Sequence, residues 1–365
     1  MFKTKTVFVV GAGGSYELGL PLGDELKETI AKKVNFHVDY HSRILGNREL
    51  YSTICSHCNG GTDLNNFNLA GRNMTLALPL ALSIDNYLHT HSDNEKAVLL
   101  GKMVIVQSIL EAEKKSKIYF DNQNNIDFSK ALDSWHNIFC QILTERSDKN
   151  DLEKIFENIT FITFNYDRCI EHYLALWLEI YIHISRADAQ SLVNHMTIIH
   201  PYGKVGSLGW QSGSTCRMKV DFGQNLTGNS LLNAASNIRT FTEKNYNAGE
   251  AMHIHALLKD AQRIVYLGFS FGEMNMDLIR MNSEHCDSND YTRKIVGTAL
   301  GISPNDLDVI KQTINLHYFG TKGRLTFGNA QLERLFSPPY YPNDPKLEDL
   351  SCYDFFKQNS RVLSS

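Results

Sequence analysis

Four apolar residues, Val7 to Val10, run directly into Gly11-Ala12-Gly13-Gly14-Ser15, and this junction limits what the chain can fold into more than any other part of it. A short β-branched run reads as an interior parallel strand, and glycines at its carboxyl end make the tight turn into a helix. Glycine suits the place for two reasons. It accepts positive φ, and without a Cβ it lets backbone N–H groups approach a pyrophosphate beside the next helix N-terminus. The same residues also fit an ordinary Gly-rich strand-to-helix turn. Pro21-Leu22-Gly23 then leads into DELKETIAKKV, with acids early and lysines late, which predicts a helix ending near Val34.

Beyond that helix the pattern changes to long helical segments, among them ALPLALSIDNYLHTH, EKAVLLGKMVIVQSILEAEKKSK and FSKALDSWHNIFCQILTERS. The polar, Gly/Asn-rich run from Ser56 to Asn73 reads as a turn-rich loop, a candidate flap. Further strands are expected at Ile159–Asn165, Met196–Ile199 and Arg263–Phe271, each followed or separated by helical sequence. LDVIKQTINLHYF is expected to supply another helix and strand. Alternating strands and helices predict an α/β fold, a Rossmann-like parallel sheet flanked by helices with an inserted helical domain. The expected organisation is a sheet domain over 1–34 and 151–325, a helical insertion over 35–150, and a C-terminal arm over 326–365 containing SPPYYPNDP.

At 365 residues with 42% hydrophobic content the chain can bury a sizeable core. A net charge of −4 gives no basic stripe, so direct nucleic-acid binding is not expected. No secretory signal and no apolar run of membrane-spanning length is read. The seven scattered cysteines suit reduced thiols in a cytoplasmic protein. Cys55 and Cys58 form a lone CxxC without the second pair a structural zinc site needs, so no metal is expected.

Each later strand ends in polar residues where a doubly wound sheet places its ligand: Asn165-Tyr166-Asp167, His200-Pro201-Tyr202-Gly203, and Gly268-Phe269-Ser270. Asn165 and Asp167 also fit a helix cap, and His200 a structural histidine before a turn. A dehydrogenase would want a third glycine where Tyr16 stands, although Asp39 lies where a ribose-binding acid would end its second strand.

Taken together these motifs resemble the sirtuin group. Gly11-Ala12-Gly13-Gly14-Ser15 with Gly19-Leu20-Pro21 is similar to its GAG-x-S…G-[IL]-P turn, Asn165-Tyr166-Asp167 to its N-x-D element, His200 with Gly203 to a lengthened His–Gly element, and Gly268-Phe269-Ser270 to its later G-x-S turn. A deacylating sirtuin continues P-D-F-R and carries a four-cysteine zinc ribbon. Here Leu22-Gly23-Asp24 follows Pro21 and one cysteine pair exists, so a protein deacylase is disfavoured. The P-L-G form, the SIDNYL segment at Ser83–Leu88 and His-Pro-Tyr-Gly look instead like the sirtuin-like NAD-cleaving proteins of bacterial antiphage defence. That resemblance implies an NAD+ glycohydrolase forming nicotinamide and ADP-ribose, a toxic effector that depletes NAD+. It further implies a homo-oligomer, often paired with an ATPase (HerA-type) or an Argonaute-like protein.

On this reading Asn165 positions the water and ribose, and His200 is the general base or a partner of the ribose hydroxyls. Asp167 holds the site or supports charge at nicotinamide, and Asp85 faces the same pocket as the weakest member of the set. Gly11, Ala12, Gly13, Ser15 and Pro21 serve the pyrophosphate turn and Gly203 the His–Gly element, while Gly268, Ser270 and Glu273 face the adenosine ribose. A non-catalytic module that binds NAD or ADP-ribose and controls a partner by assembly keeps the same glycine turn without needing His200.

Overall fold

The structure is a computed structural model that describes residues 2–38, 44–120, 126–145, 149–212, 218–240, 248–280, 293–319 and 344–364. Strands β1 (Thr6–Val10), β2 (Ile159–Thr163), β3 (Thr197–Ile199), β4 (Arg263–Leu267), β5 (Lys294–Thr298) and β6 (Lys346–Glu348) form one six-stranded sheet. All its pairings are parallel, in the order β3-β2-β1-β4-β5-β6. Helices cover both faces, so the fold is α/β and Rossmann-like. The chain steps outward from β1 to β3, then returns to the other side of β1 for β4 to β6. The order therefore reverses between β1 and β4, where such sheets open a ligand crevice beyond their carboxyl ends.

Alternation along β1 assigns the two faces. Val7 and Val9 join one hydrophobic cluster and Phe8 and Val10 the other, and all four are buried, as expected of a strand covered on both sides. The first cluster takes in Leu26 and Ile30 of helix Gly23–Val34, Phe67 and Met74 of Gly61–Ala77, and much of Glu95–Lys115. The second holds Trp135 and Phe139 with Phe355 and Phe356 of the last helix, Cys352–Ser364. Phe8 stacks on Phe161 at 5.1 Å between ring centroids and meets Phe139 edge-on at 5.6 Å. The helices between β1 and β2 thus share both of the sheet's clusters.

Three sequence expectations change. The run Ser56–Asn73 is not a loop: after a break at Cys58–Gly60 it enters helix Gly61–Ala77. Leu64, Phe67, Ala70, Gly71 and Met74 recur at helical spacing and pack on the core, a stripe that the surrounding asparagines hide in the sequence. LDVIKQTINLHYF gives no strand and belongs wholly to helix Pro304–Phe319. The strand expected there is instead β5, whose short KIVGT run is interrupted by Gly297. A Cβ at Gly297 would lie 2.4 Å from the Tyr266 carbonyl oxygen, so close strand packing demands glycine there. Within the expected arm, β6 extends the sheet and the last helix docks by its phenylalanines. Ser337–Asn343 of the Pro/Tyr segment lies outside the described residues, as does Asp39. The adjoining His37–Val38 pairs only with Ile44–Leu45 in a separate two-stranded ribbon. No helix among the described residues is long and apolar enough to cross a membrane.

Candidate active site

Pairing of Val10 with Thr163 on one side and Leu267 on the other brings the ends of β1, β2 and β4 level. The segments leaving them enclose a cleft of about 480 Å³. Gly11, Ala12, Pro21, Asp85, Asn165, Asp167, Ser270 and Glu273 line it. Those eight residues come from separate parts of the chain, and Asp85 arrives from the helical stretch between β1 and β2 on helix Ile84–Thr90.

The glycine turn is a backbone-to-backbone contact. Gly11 N–H donates to Leu267 O and Gly13 N–H to Gly268 O, both at 3.0 Å. Gly268 has φ of +53°, and a Cβ on it would lie 2.2 Å from the Gly13 carbonyl carbon. Gly14 and Ser15 N–H donate to Gly11 and Ala12 carbonyls, so among Gly11 to Ser15 only Ala12 has an amide with no protein acceptor among the described residues. Gly13, Ser15 and Gly268 shape the turn from behind the lining. Trp135 Nε1 donates to Gly14 O at 2.6 Å. Glu17, which the sequence does not single out, accepts from Trp135 N at 2.8 Å and Tyr353 N at 2.6 Å. It caps two helix N-termini at once and ties the last helix to the turn.

Opposite stands a side-chain network. Asn165 Nδ2 donates to Ser15 Oγ at 3.0 Å, and Ser15 Oγ donates to Asp167 Oδ1 at 3.1 Å. The same carboxylate oxygen accepts from Cys169 N at 3.0 Å, so Asp167 also serves the start of the following helix. Burial raises the Asp167 carboxyl above its ordinary value against the pull of these donors. Asp85, half-buried in the cleft wall, accepts from the Tyr166 hydroxyl, and desolvation raises it too.

His200 lies behind Asn165 and outside the cleft lining. Its Nδ1 is 2.9 Å from Asn165 O and its Nε2 is 3.2 Å from Glu171 Oε1. Both ring nitrogens are thereby engaged, one by a backbone carbonyl and one by a carboxylate. Lys204 Nζ donates to the same Glu171 oxygen at 2.8 Å. Burial pushes Glu171 up, but the charges of Lys204 and His200 outweigh it and hold the carboxyl well below the usual range. Gly203 closes the His200-to-Gly203 turn with φ of +73°, and a Cβ there would meet Asn237 O at 1.9 Å. It too is absent from the lining. Glu171 and Lys204 escape sequence reading because nothing local ties a helix glutamate to a lysine after a turn.

Aromatic rings form the floor: Phe164 lies 5.1 Å from Phe269 and 5.7 Å from Tyr202, whose hydroxyl donates to Asn275 at 2.8 Å. Phe271, beside Ser270, has φ of +55°, a left-handed backbone that a bulky residue holds only under constraint. Among the described residues Asp85, Asp167 and Glu273 give the cleft three carboxyl groups, and no lysine or arginine lines it. Among the described residues no group of three or more His, Cys, Asp or Glu side chains is placed to hold a metal ion. Comparison of the chain with family models, with curated proteins and with solved structures gives no match.

Proposed function

We propose that this protein is an NAD+ glycohydrolase, splitting NAD+ with water into nicotinamide, ADP-ribose and a proton. The reading is carried by one convergence: Ala12, Asn165, Asp167, Asp85 and Ser270 meet in a single acidic, aromatic-floored cleft at the sheet's switch point. Breaking the bond between C1′ and the nicotinamide nitrogen sends its electron pair to the cationic ring and leaves positive charge on the ribose. Carboxyl groups without a competing lysine or arginine suit both the cationic ring and that developing charge. Asn165, fixed by Ser15, orients the attacking water. Asp167, raised by burial, supports the charge at C1′ and takes up the proton of the water. His200, with both ring nitrogens engaged, holds the Asn165 backbone in place. The Ala12 amide contacts the pyrophosphate, and Ser270 and Glu273 the adenosine ribose.

Incubation with NAD+ and chromatographic measurement of nicotinamide tests this. Wild type should release it, and Asn165→Ala and Asp167→Asn should each lower the rate by about 100-fold or more. Equal release from wild type and Asn165→Ala would sink the proposal. The resemblance alone supports the wider proposal of a toxic, NAD+-depleting effector of antiphage defence, acting as a homo-oligomer beside an ATPase or Argonaute-like partner.

A second reading has its own observation. The turn's amides are largely engaged within the protein and, among the described residues, no imidazole lines the cleft, which suits a module that binds NAD+ or ADP-ribose without turnover. Calorimetry showing tight binding of both ligands, with no nicotinamide released, would favour it.

A further inference from the structure

The CSHC motif takes no part in the cleft. It closes helix Arg48–His57: Cys55 stands exposed in the last turn, and Cys58 is the C-cap residue, donating its N–H to Ile54 O at 2.9 Å. That bond keeps the Cys58 Cα on the helical path, and its backbone turns extended only beyond it, at ψ of 140°. Helix geometry puts residues three apart at about 5 Å between Cα atoms, inside the ~4.4–6.8 Å span of disulfides; their Cβ atoms, about 5–6 Å apart, must close to about 3.5–4.5 Å, a movement left to Cys58 as the C-cap outside the helix. Both thiols are free, whereas Cys140, Cys169 and Cys352 are buried. We propose that Cys55 and Cys58 are a reversible dithiol–disulfide pair, a two-electron redox site facing solvent and separate from the cleft.

With hydrogen peroxide as oxidant the chemistry closes. The Cys55 thiolate attacks a peroxide oxygen and the O–O bond breaks, giving a sulfenic acid and, with the thiol's proton, water. Cys58 Sγ then attacks the Cys55 sulfur and expels the hydroxyl, which leaves as a second water with the Cys58 proton. Two thiols lose two electrons and the peroxide gains them. The position in the helix sets the balance. A CxxC at a helix N-terminus is a strong oxidant because the dipole stabilises its thiolate, whereas Cys55 here sits in the last turn of its helix, at the negative end. Burial and then the charge of Asp63 push the Cys58 thiol up. With no such stabilisation of the reduced form, the disulfide persists once made. Closing it draws Cys58 from Asp63, which keeps Lys96 Nζ at 2.6 Å and Asn59 N at 3.2 Å.

The test treats the folded chain with hydrogen peroxide, alkylates with iodoacetamide and weighs the tryptic peptide Glu49–Arg72, which holds Cys55 and Cys58 and no other cysteine. The expected product is that peptide unalkylated and about 2 Da lighter, restored by dithiothreitol and absent from Cys55→Ser. Asp63→Asn should speed closure severalfold by removing the negative charge beside Cys58. Oxidation of Cys55 to sulfinic acid, or its coupling to another chain, with Cys58 still free to alkylate, would overturn the proposal.

Discussion

On the β1–β4 side of the cleft, backbone packs on backbone: Gly11 and Gly13 donate into the β4 exit, and Gly268 leaves no room for a Cβ. On the β2–β3 side the hold is by side chains: Ser15 links Asn165 to Asp167, His200 reaches the Asn165 carbonyl, and Glu171 takes His200 and Lys204. The first wall is set by sterics. The second is set by charge and hydrogen bonding, so single polar substitutions should act chiefly on it.

The largest expected effect tests the steric wall. Gly268→Ala adds a Cβ 2.2 Å from Gly13 C and 2.3 Å from Gly14 N, at positive φ. Backbone strain and overpacking together should cost about 3–5 kcal/mol, read as a fall in the urea midpoint. Gly23→Ala lines the same cleft but meets nothing within 4 Å and has no positive φ, so it should be neutral or slightly stabilising. Equal losses from the two would break the comparison.

Next comes the charged wall. Lys204→Met leaves Glu171 buried with His200 as its remaining side-chain partner, and breaking such a pair should cost about 3 kcal/mol. The pH dependence carries a sign. Glu171 ionises more readily folded than unfolded, so its contribution is complete above the ordinary glutamate value of about 4.3. It is lost as pH falls through the lower folded value. In Lys204→Met, burial is opposed by less charge, so acid unfolding should begin at higher pH than in wild type. Urea midpoints measured from neutral pH downward check this, and an unchanged acid limit would contradict it.

The two walls were unequally legible in the sequence. Gly11, Gly13 and Gly268 could be read because so few residues fit a tight strand exit, and strands β1, β2, β3 and β4 because their runs are rich in β-branched and aromatic residues. What those glycines serve was less legible, since close approach of two chain segments asks for the same residue as close approach of a phosphate. On the polar wall Asn165 and Asp167 were visible as residues, but Asp167 both caps a helix and lines the cleft, so residue type alone could not separate the roles. His200 was visible too. Its engagement with Glu171 depends on a helix and a turn that only the sheet order brings together. Strands β5 and β6 stayed hidden, one behind Gly297 and the other as a polar edge of three residues.

The smallest expected effect falls where the walls join. Ser15 belongs to the glycine turn by its backbone, donating to Ala12 O, and to the polar wall by its hydroxyl, which links Asn165 to Asp167. Ser15→Ala keeps the turn and removes the link, so stability should fall by only about 1–2 kcal/mol, the cost of unpairing a buried hydrogen bond. If the cleft hydrolyses NAD+, the freed Asn165 amide no longer fixes the attacking water, and kcat should drop while KM barely moves. A stability loss as large as that of Gly268→Ala would mean the side-chain network also supports the backbone turn. The two walls would then act as one mechanical unit.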